Sequence, residues 1–249
     1  MSTYIIGTQK VYVAHYDLTS YLDSVSIGGQ KAAVAATALG ATTELMKPGL
    51  ETINFSYGGF FDGPAGADEI HDYLLNHATP AATPPPFSVC PTTGADGELA
   101  MMHCGRDLSY DFGGAVGSML KISASGGAAA DKLVRGYVMI PKAAYTASDV
   151  GTSAELGAAL VTQRVYAALH VFTVTGTDPT LDVIVESDAD DAWGAGNTTR
   201  ITFTQATAAS SQWKKSAVGA ITDTFWRVGY TIGGTDTPTF TFAVTVGIR

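Results

Sequence analysis

Five histidines (His15, His71, His77, His103 and His170), two cysteines (Cys90 and Cys104) and one acidic run are the groups here that could do chemistry. Histidine and cysteine could ligate a metal or act as base and nucleophile, but their spacing favours neither. Only His71 and His77 share a candidate element, a helix, and six positions at 3.6 residues per turn set them about 120° apart around it. The cysteines match neither a zinc spacing nor a disulfide framework and read as two free thiols. The acidic run, Glu186-Ser-Asp188-Ala-Asp190-Asp191-Ala-Trp193-Gly, has the alternating carboxylates of a calcium loop. It lacks the full spacing and the bidentate Glu of a dedicated one, so Asp188, Asp190 and Asp191 are a minor calcium candidate and a solvated turn is the plainer expectation.

Two exposed tryptophans lying flat on one sheet could stack a sugar ring. Trp226 alternates with apolar residues and is expected inside, which leaves Trp193 and Trp213 as the pair for a carbohydrate-binding reading. No GxSxG, HExxH or phosphate-cradling glycine loop occurs, and the glycines come as pairs at turns. The expectation is a protein that is not an enzyme and holds no cofactor.

Composition narrows the class. Hydrophobic residues make up 46% and charged residues 15% of the 249, enough apolar content for a sizeable core and a surface of small polar residues or of other subunits. A net charge of -9 argues against gripping phosphate backbones. No apolar run reaches the roughly 20 residues of a membrane helix, and the N-terminal text has no basic flank with an apolar block, so neither membrane nor export is expected.

The elements that must position these groups read mostly as strands. Period-two alternation appears in Val11–Ala14, Val25–Ile27 and Ile53–Tyr57, again from Glu98 to Cys104, Val116 to Ser125 and Leu133 to Ile140. Residues 31–43 are Ala-rich and fit a helix, a loop or an extended arm. One short helix is expected over 68–77, where Asp68 and Glu69 open it and Ile70, Tyr73, Leu74 and His77 share a face. The proline-rich text after it is an extended connector. The C-terminal ninety or so residues alternate throughout, and GGTDTP between Phe225–Ile232 and Thr239–Val246 predicts a hairpin. The fold class is therefore mainly β: an N-terminal sandwich or barrel with one short helix over 1–145, a linker over 146–161, and a C-terminal antiparallel sandwich, Ig-like or jelly-roll-like, over 162–249.

Four stretches in order, Tyr16-Asp-Leu-Thr-Ser-Tyr-Leu22, Thr37-Ala-Leu-Gly40, Pro48-Gly-Leu50 and Gly59-Phe-Phe-Asp62, resemble the N-terminal part of the tail tube (major tail) proteins of long-tailed bacteriophages. The resemblance covers somewhat over half of the chain, and the C-terminal text resembles domains appended to phage virion proteins. It implies a structural virion protein, made in the bacterial cytoplasm and resident in the tail. Such a protein self-assembles into stacked rings through which DNA passes without tight binding. Its partners are copies of itself and other virion proteins, with no membrane. The implied assembly residues are Tyr16, Asp17, Leu18, Leu39, Gly40, Pro48, Gly49, Leu50, Phe60 and Phe61, with the loop 28–47 as the ring-to-ring contact. A capsid decoration protein or another head or tail component is the alternative, and a carbohydrate-binding module a further one. Sheet edges aggregate unless paired, and a ring-forming protein can pair them with its neighbours. The acidic balance suits a lumen that repels DNA, and equally suits ordinary solubility.

Overall fold

A computed structural model describes residues 9–37, 43, 45–61, 83–128, 131–194 and 196–249. In chain order their strands are β1 (Lys10–Val13), β2 (Tyr16–Asp17), β3 (Leu22–Ala35), β4 (Met46–Phe60), β5 (Pro86–Cys90), β6 (Leu99–Gly113) and β7 (Lys121–Ala128). Then come β8 (Val134–Tyr145), β9 (Asp149–Val150), β10 (Ala154–Glu155), β11 (Val165–Asp188), β12 (Thr198–Thr202), β13 (Ser210–Lys215) and β14 (Phe225–Ile248). Every pairing among them is antiparallel. The helix expected over 68–77 falls outside the described residues.

The chain divides into two compact units, and not at the expected linker. Unit 1 draws on Met1–Ser20, Pro85–Cys104 and Val134–Arg249, and unit 2 on Tyr21–Pro84 and Gly105–Leu133. Residues 146–161 are part of unit 1: β9 pairs Val150 with Gly229, β10 pairs Ala154 with Trp226, and Ala159 bridges Ile221. β8 also pairs along β14, from Tyr145 opposite Phe240 to Gly136 opposite Gly247. The small polar text of 146–161 loses its hydrophobic period, but backbone N–H and C=O groups need no such period to pair.

Unit 1 carries the sheet order β12-β11-β14-β8-β6-β5-β1-β2, with Leu99–Cys104 as its part of β6. Its spine is the pairing of β11 with β14 over their full lengths. GGTDTP is therefore not a hairpin: Phe225–Ile232 and Thr239–Val246 are the two halves of β14, each lying on β11. The physical reason is a matching irregularity in the partner. Gly176 and Asp178 on β11 face Gly234, Asp236 and Thr237 on β14, all at positive φ, and Thr177 Oγ1 donates to Asp236 Oδ2 at 2.7 Å. Two turn-prone segments placed opposite each other bend both strands together instead of reversing one.

Both halves of this ribbon feed one core. Val165, Ala167, Leu169 and Val171 from the first half of β11 share it with Val183 and Val185 from the second, and with Trp226, Val228, Phe240, Phe242 and Val244 of β14. The alternate residues Tyr166 and Ala168 turn the other way, to Met102 and Val134. Burial on both faces explains the continuous apolar run VYAALHV.

Unit 2 is the antiparallel sheet β3-β4-β7-β6, with Gly105–Gly113 as its part of β6. One face is apolar, with Ile53, Phe55 and Tyr57 of β4 and Ile122 and Ala124 of β7 buried. Gly59 is demanded by a close approach: a Cβ there would meet the Tyr21 carbonyl oxygen and come 2.7 Å from the Leu22 Cα. Pro48-Gly49, despite its turn chemistry, is part of β4, where Pro48 lies opposite Ala33 beside a register irregularity at Lys31/Ala33. Among the described residues β4 has a paired strand on one side only at that point, and an edge position of this kind is where a proline is tolerated in a sheet. A Cβ on Gly49 would sit 2.8 Å from Val34 Cγ2, so the two chains approach closely there.

Candidate assembly surface

The groups with chemical potential in unit 1 are used internally. His170 is fully buried, with Nε2 2.9 Å from Ser88 Oγ and Nδ1 2.6 Å from the Ala14 carbonyl oxygen. Because that oxygen can only accept, the proton is on Nδ1 and Ser88 donates to Nε2. Serine, histidine and an acceptor in sequence match a nucleophile and its base in form, but Ser88 and His170 both have no exposed surface, so no substrate reaches them. Ser88 Oγ also lies 3.3 Å from Thr245 Oγ1, so the network ties β5, β11 and β14 to the β1–β2 turn, where Ala14 holds a φ of 51°. Burial pushes the imidazole pKa of His170 down to about 4, and burial does the same to His103. Burial likewise pushes the Cys90 thiol up to about 12, far from a reactive thiolate.

The acids of the calcium candidate do not converge. Asp188 Oδ1 accepts from Ala189 N at 2.7 Å and Asp190 Oδ1 from Ala192 N at 2.9 Å, while Asp191 Oδ1 accepts from Trp193 Nε1 and from the Ser153 hydroxyl. Among the described residues no three acidic, His or Cys side chains are grouped to hold a metal. The carboxylates organise the turn after β11, and Glu186 there accepts from Arg227 Nε at 3.0 Å. Trp193 is covered by the same Arg227, whose guanidinium carbon sits 4.1 Å from the ring centroid. Trp213, beside Ala168 on the far half of β11, packs on Tyr166, and Trp226 is buried with Nε1 donating to the Gly157 carbonyl. The two tryptophans of the carbohydrate reading therefore lie at opposite ends of β11 and share no platform.

The residues carrying the family resemblance scatter. Tyr16 and Asp17 form β2. Burial works to raise the Asp17 carboxyl, yet hydrogen bonds from Lys142 and Thr19 hold its pKa below the ordinary value. Leu18 is 1% exposed, in the unit 1 core, and has no surface to offer a neighbour. Leu39 and Gly40 lie outside the described residues. Pro48, Gly49 and Leu50 lie on β4, where Leu50 is 86% exposed. Phe60 and Phe61 are half-buried, the first under the Lys121 ammonium at 5.1 Å.

Unit 2 holds what the sequence reading passed over. The face opposite its apolar one is built in rows across four strands: Ser26, Ser56, Ser125 and Ser109 are successive partners, as are Ser24, Gly58, Ser123 and Asp111. Ser109 and Ser125 hydroxyls are 2.7 Å apart. The signal was present as polar residues at every second position, serines in SVS and SAS and Ser109 with Asp111 in LSYD, legible only once the strands are set side by side.

Past Asn54 the sheet narrows. β7 reaches only to the Gly127 opposite Asn54, so Gly29–Ala35 and Met46–Ile53 continue as a two-stranded ribbon. A lone two-stranded ribbon is marginal in water, and this one exposes Val34, Leu45, Met46 and Leu50. At the sheet's other end Phe112 near the end of β6 and Val116, Met119 and Leu120 of the β6–β7 turn are exposed. No described strand pairs with the outer edge of β3, or with that of β6 over Gly105–Gly113.

No protein-family model matches the chain, and no curated protein does. Among solved structures, the tail of an empty gene transfer agent particle, refined with C6 symmetry, is similar at 16% identity and a TM-score of 0.36, over 47% of this chain and 81% of that one. The virion of a native gene transfer agent gives 17% identity and a TM-score of 0.38, over 50% and 92%. The Dit protein of phage SPP1, described as a hub of the adsorption apparatus, gives 13% and 0.34, over 98% and 100%. At TM-scores below 0.5 these likenesses carry no argument about what this chain does.

Proposed function

We propose that the chain is a structural, non-enzymatic subunit of a long-tailed phage virion that assembles through unit 2 into stacked rings forming a tail tube. The observation that carries this reading is a four-stranded sheet whose two outer edges no described strand covers, continued by a ribbon that exposes apolar side chains, features a solitary protein normally blocks. Copies related by rotation fill the edges, and the ribbon at one end and the apolar β6–β7 turn at the other supply a contact between successive rings. A face of serines with the Asp111 carboxylate and no Lys or Arg in its two rows, together with the net charge of -9, suits a conduit that DNA crosses without being held. The order of the family motifs supports the same reading.

Negative-stain microscopy of the purified protein tests it: rings or tubes of uniform width are expected, and a monomer at every concentration contradicts it. Intact particles imaged with the protein on the capsid surface instead of in the tail would replace the tube by the decoration reading. Leu50→Asp probes the ribbon. Its side chain is solvent-exposed, so the melting temperature should stay within a degree or two, while tubes shorten or disappear.

A further inference from the structure

One side chain in unit 1 sits where its type is costly. Trp193, on the turn after β11, holds a φ of 48° and is the only aromatic among the described non-glycine residues at positive φ. A left-handed backbone carries a steric penalty for a bulky side chain, and it persists only where the surroundings over-determine it. Here they do so from beneath the ring. Glu186 on β11 and Arg227 on β14 are cross-strand partners. Glu186 Oε2 accepts from Arg227 Nε at 3.0 Å and Oε1 from Asn197 Nδ2 at 3.0 Å, and the guanidinium carbon lies 4.1 Å from the indole centroid. At the ring's edge Nε1 donates to Asp191 Oδ1 at 3.2 Å, and the Ser153 hydroxyl donates to that same oxygen.

The indole is thus fixed on one face and at one edge, yet it is only half-buried. Its remaining surface faces away from Arg227, and the space beside it is open: a Cβ added at Gly194 would meet nothing within 4 Å. A ring kept for packing alone is closed in, as Trp226 is with no exposed surface. An aromatic face locked in place by paired strands is a preorganised stacking platform.

The charges around it select the ligand. Asp190 and Asp191 are exposed on the same turn, so phosphates and nucleotides are repelled. Arg227 already takes up the ring's attraction for a cation from below. A neutral sugar meets both conditions: its C–H face lies on the indole, and its rim hydroxyls donate to carboxylate oxygens. Asp190 has such an oxygen to offer, since Oδ1 takes the Ala192 N–H at 2.9 Å and Oδ2 is left over.

We infer that Trp193 is a stacking platform for a neutral saccharide ring, with Asp190 accepting from its hydroxyls. The site needs no second tryptophan. It belongs to unit 1 and holds whether or not unit 2 assembles.

Saturation-transfer NMR of the full chain tests it, with trisaccharides of glucose, galactose, mannose and N-acetylglucosamine, and with choline and adenosine monophosphate as charged probes. Transfer to the C–H protons of at least one trisaccharide is expected. Trp193→Gly suits the left-handed backbone, so it should keep the circular dichroism spectrum while weakening binding about tenfold or more. Asp190→Asn retains an acceptor for the Ala192 N–H and should weaken binding about threefold. Absence of transfer to every trisaccharide overturns the inference, and so does a saccharide signal that Trp193→Gly leaves unchanged. Binding of choline or the nucleotide in place of the sugars overturns the ligand class.

Discussion

At the residue scale, the group that looks most like catalytic machinery is a structural tie. His170 is neutral in the fold, and its two nitrogens satisfy the Ala14 carbonyl and Ser88, whose remaining partner is the Thr245 hydroxyl at 3.3 Å. His170→Ala should destabilise the protein by on the order of 3 kcal/mol, read from urea denaturation, since losing a buried hydrogen-bond partner costs roughly 1–3 kcal/mol and the deleted ring leaves a cavity besides. The pH dependence follows from the same burial. The unfolded imidazole takes up its proton near 6.5 and the folded one near 4, so stability is full above the first value and is lost as pH falls toward the second. His103 adds a window of the same sign. His170→Ala should therefore also flatten the loss between pH 6.5 and 4 by about one proton, whereas an unchanged slope would mean that the imidazole is not neutral inside.

Unit 2 carries a residue of opposite sign. Burial pushes the Asp107 carboxyl up to about 6, with the Tyr57 hydroxyl pulling the other way. A raised carboxyl contributes stability below its ordinary value of 3.8 and loses it as pH rises through about 6, so at neutral pH the buried charge is a burden. Asp107→Asn should stabilise the protein at pH 7.5 by on the order of 2 kcal/mol, with the gain vanishing near pH 4. A thermal denaturation series in pH separates this from a uniform effect.

At the element scale, close approaches define unit 2 more than side-chain size does. Gly59 lets the start of β3 cross β4, and Gly59→Ala should destabilise by about 3 kcal/mol or more and abolish assembly, because backbone and not a flexible side chain blocks the new methyl group. Circular dichroism melting and microscopy of the same preparation check it. The strands themselves were legible from alternation, as in Ile53, Phe55 and Tyr57, which the structure buries on one face. What misled was punctuation. Pro48-Gly49 and GGTDTP both carry turn chemistry, yet the first lies inside β4 and the second inside β14. Turn propensity is local, whereas a long-range partner such as Ala33 or Thr177 decides whether the chain reverses or only bends.

At the scale of the whole molecule, the division into units was hidden because both are discontinuous in sequence. β6 belongs to unit 1 through Cys104 and to unit 2 from Gly105, with no break in its strand text. The resemblance motifs fell on both units, and only part of the implied surface, above all Leu50, is exposed. The serine rows and the apolar β6–β7 turn needed the pairing partners before they could be seen at all.

Assembly through unit 2 requires that backbone groups along β3 and the unit 2 part of β6 find partners in other copies. Amide hydrogen exchange, comparing assembled with dissociated protein, reads those groups directly. Peptides spanning 22–35 and 105–113 should gain strong protection on assembly, while unit 1 peptides such as 165–171 change little. Equal exchange of both edges in the two states, with assembly present, would contradict it.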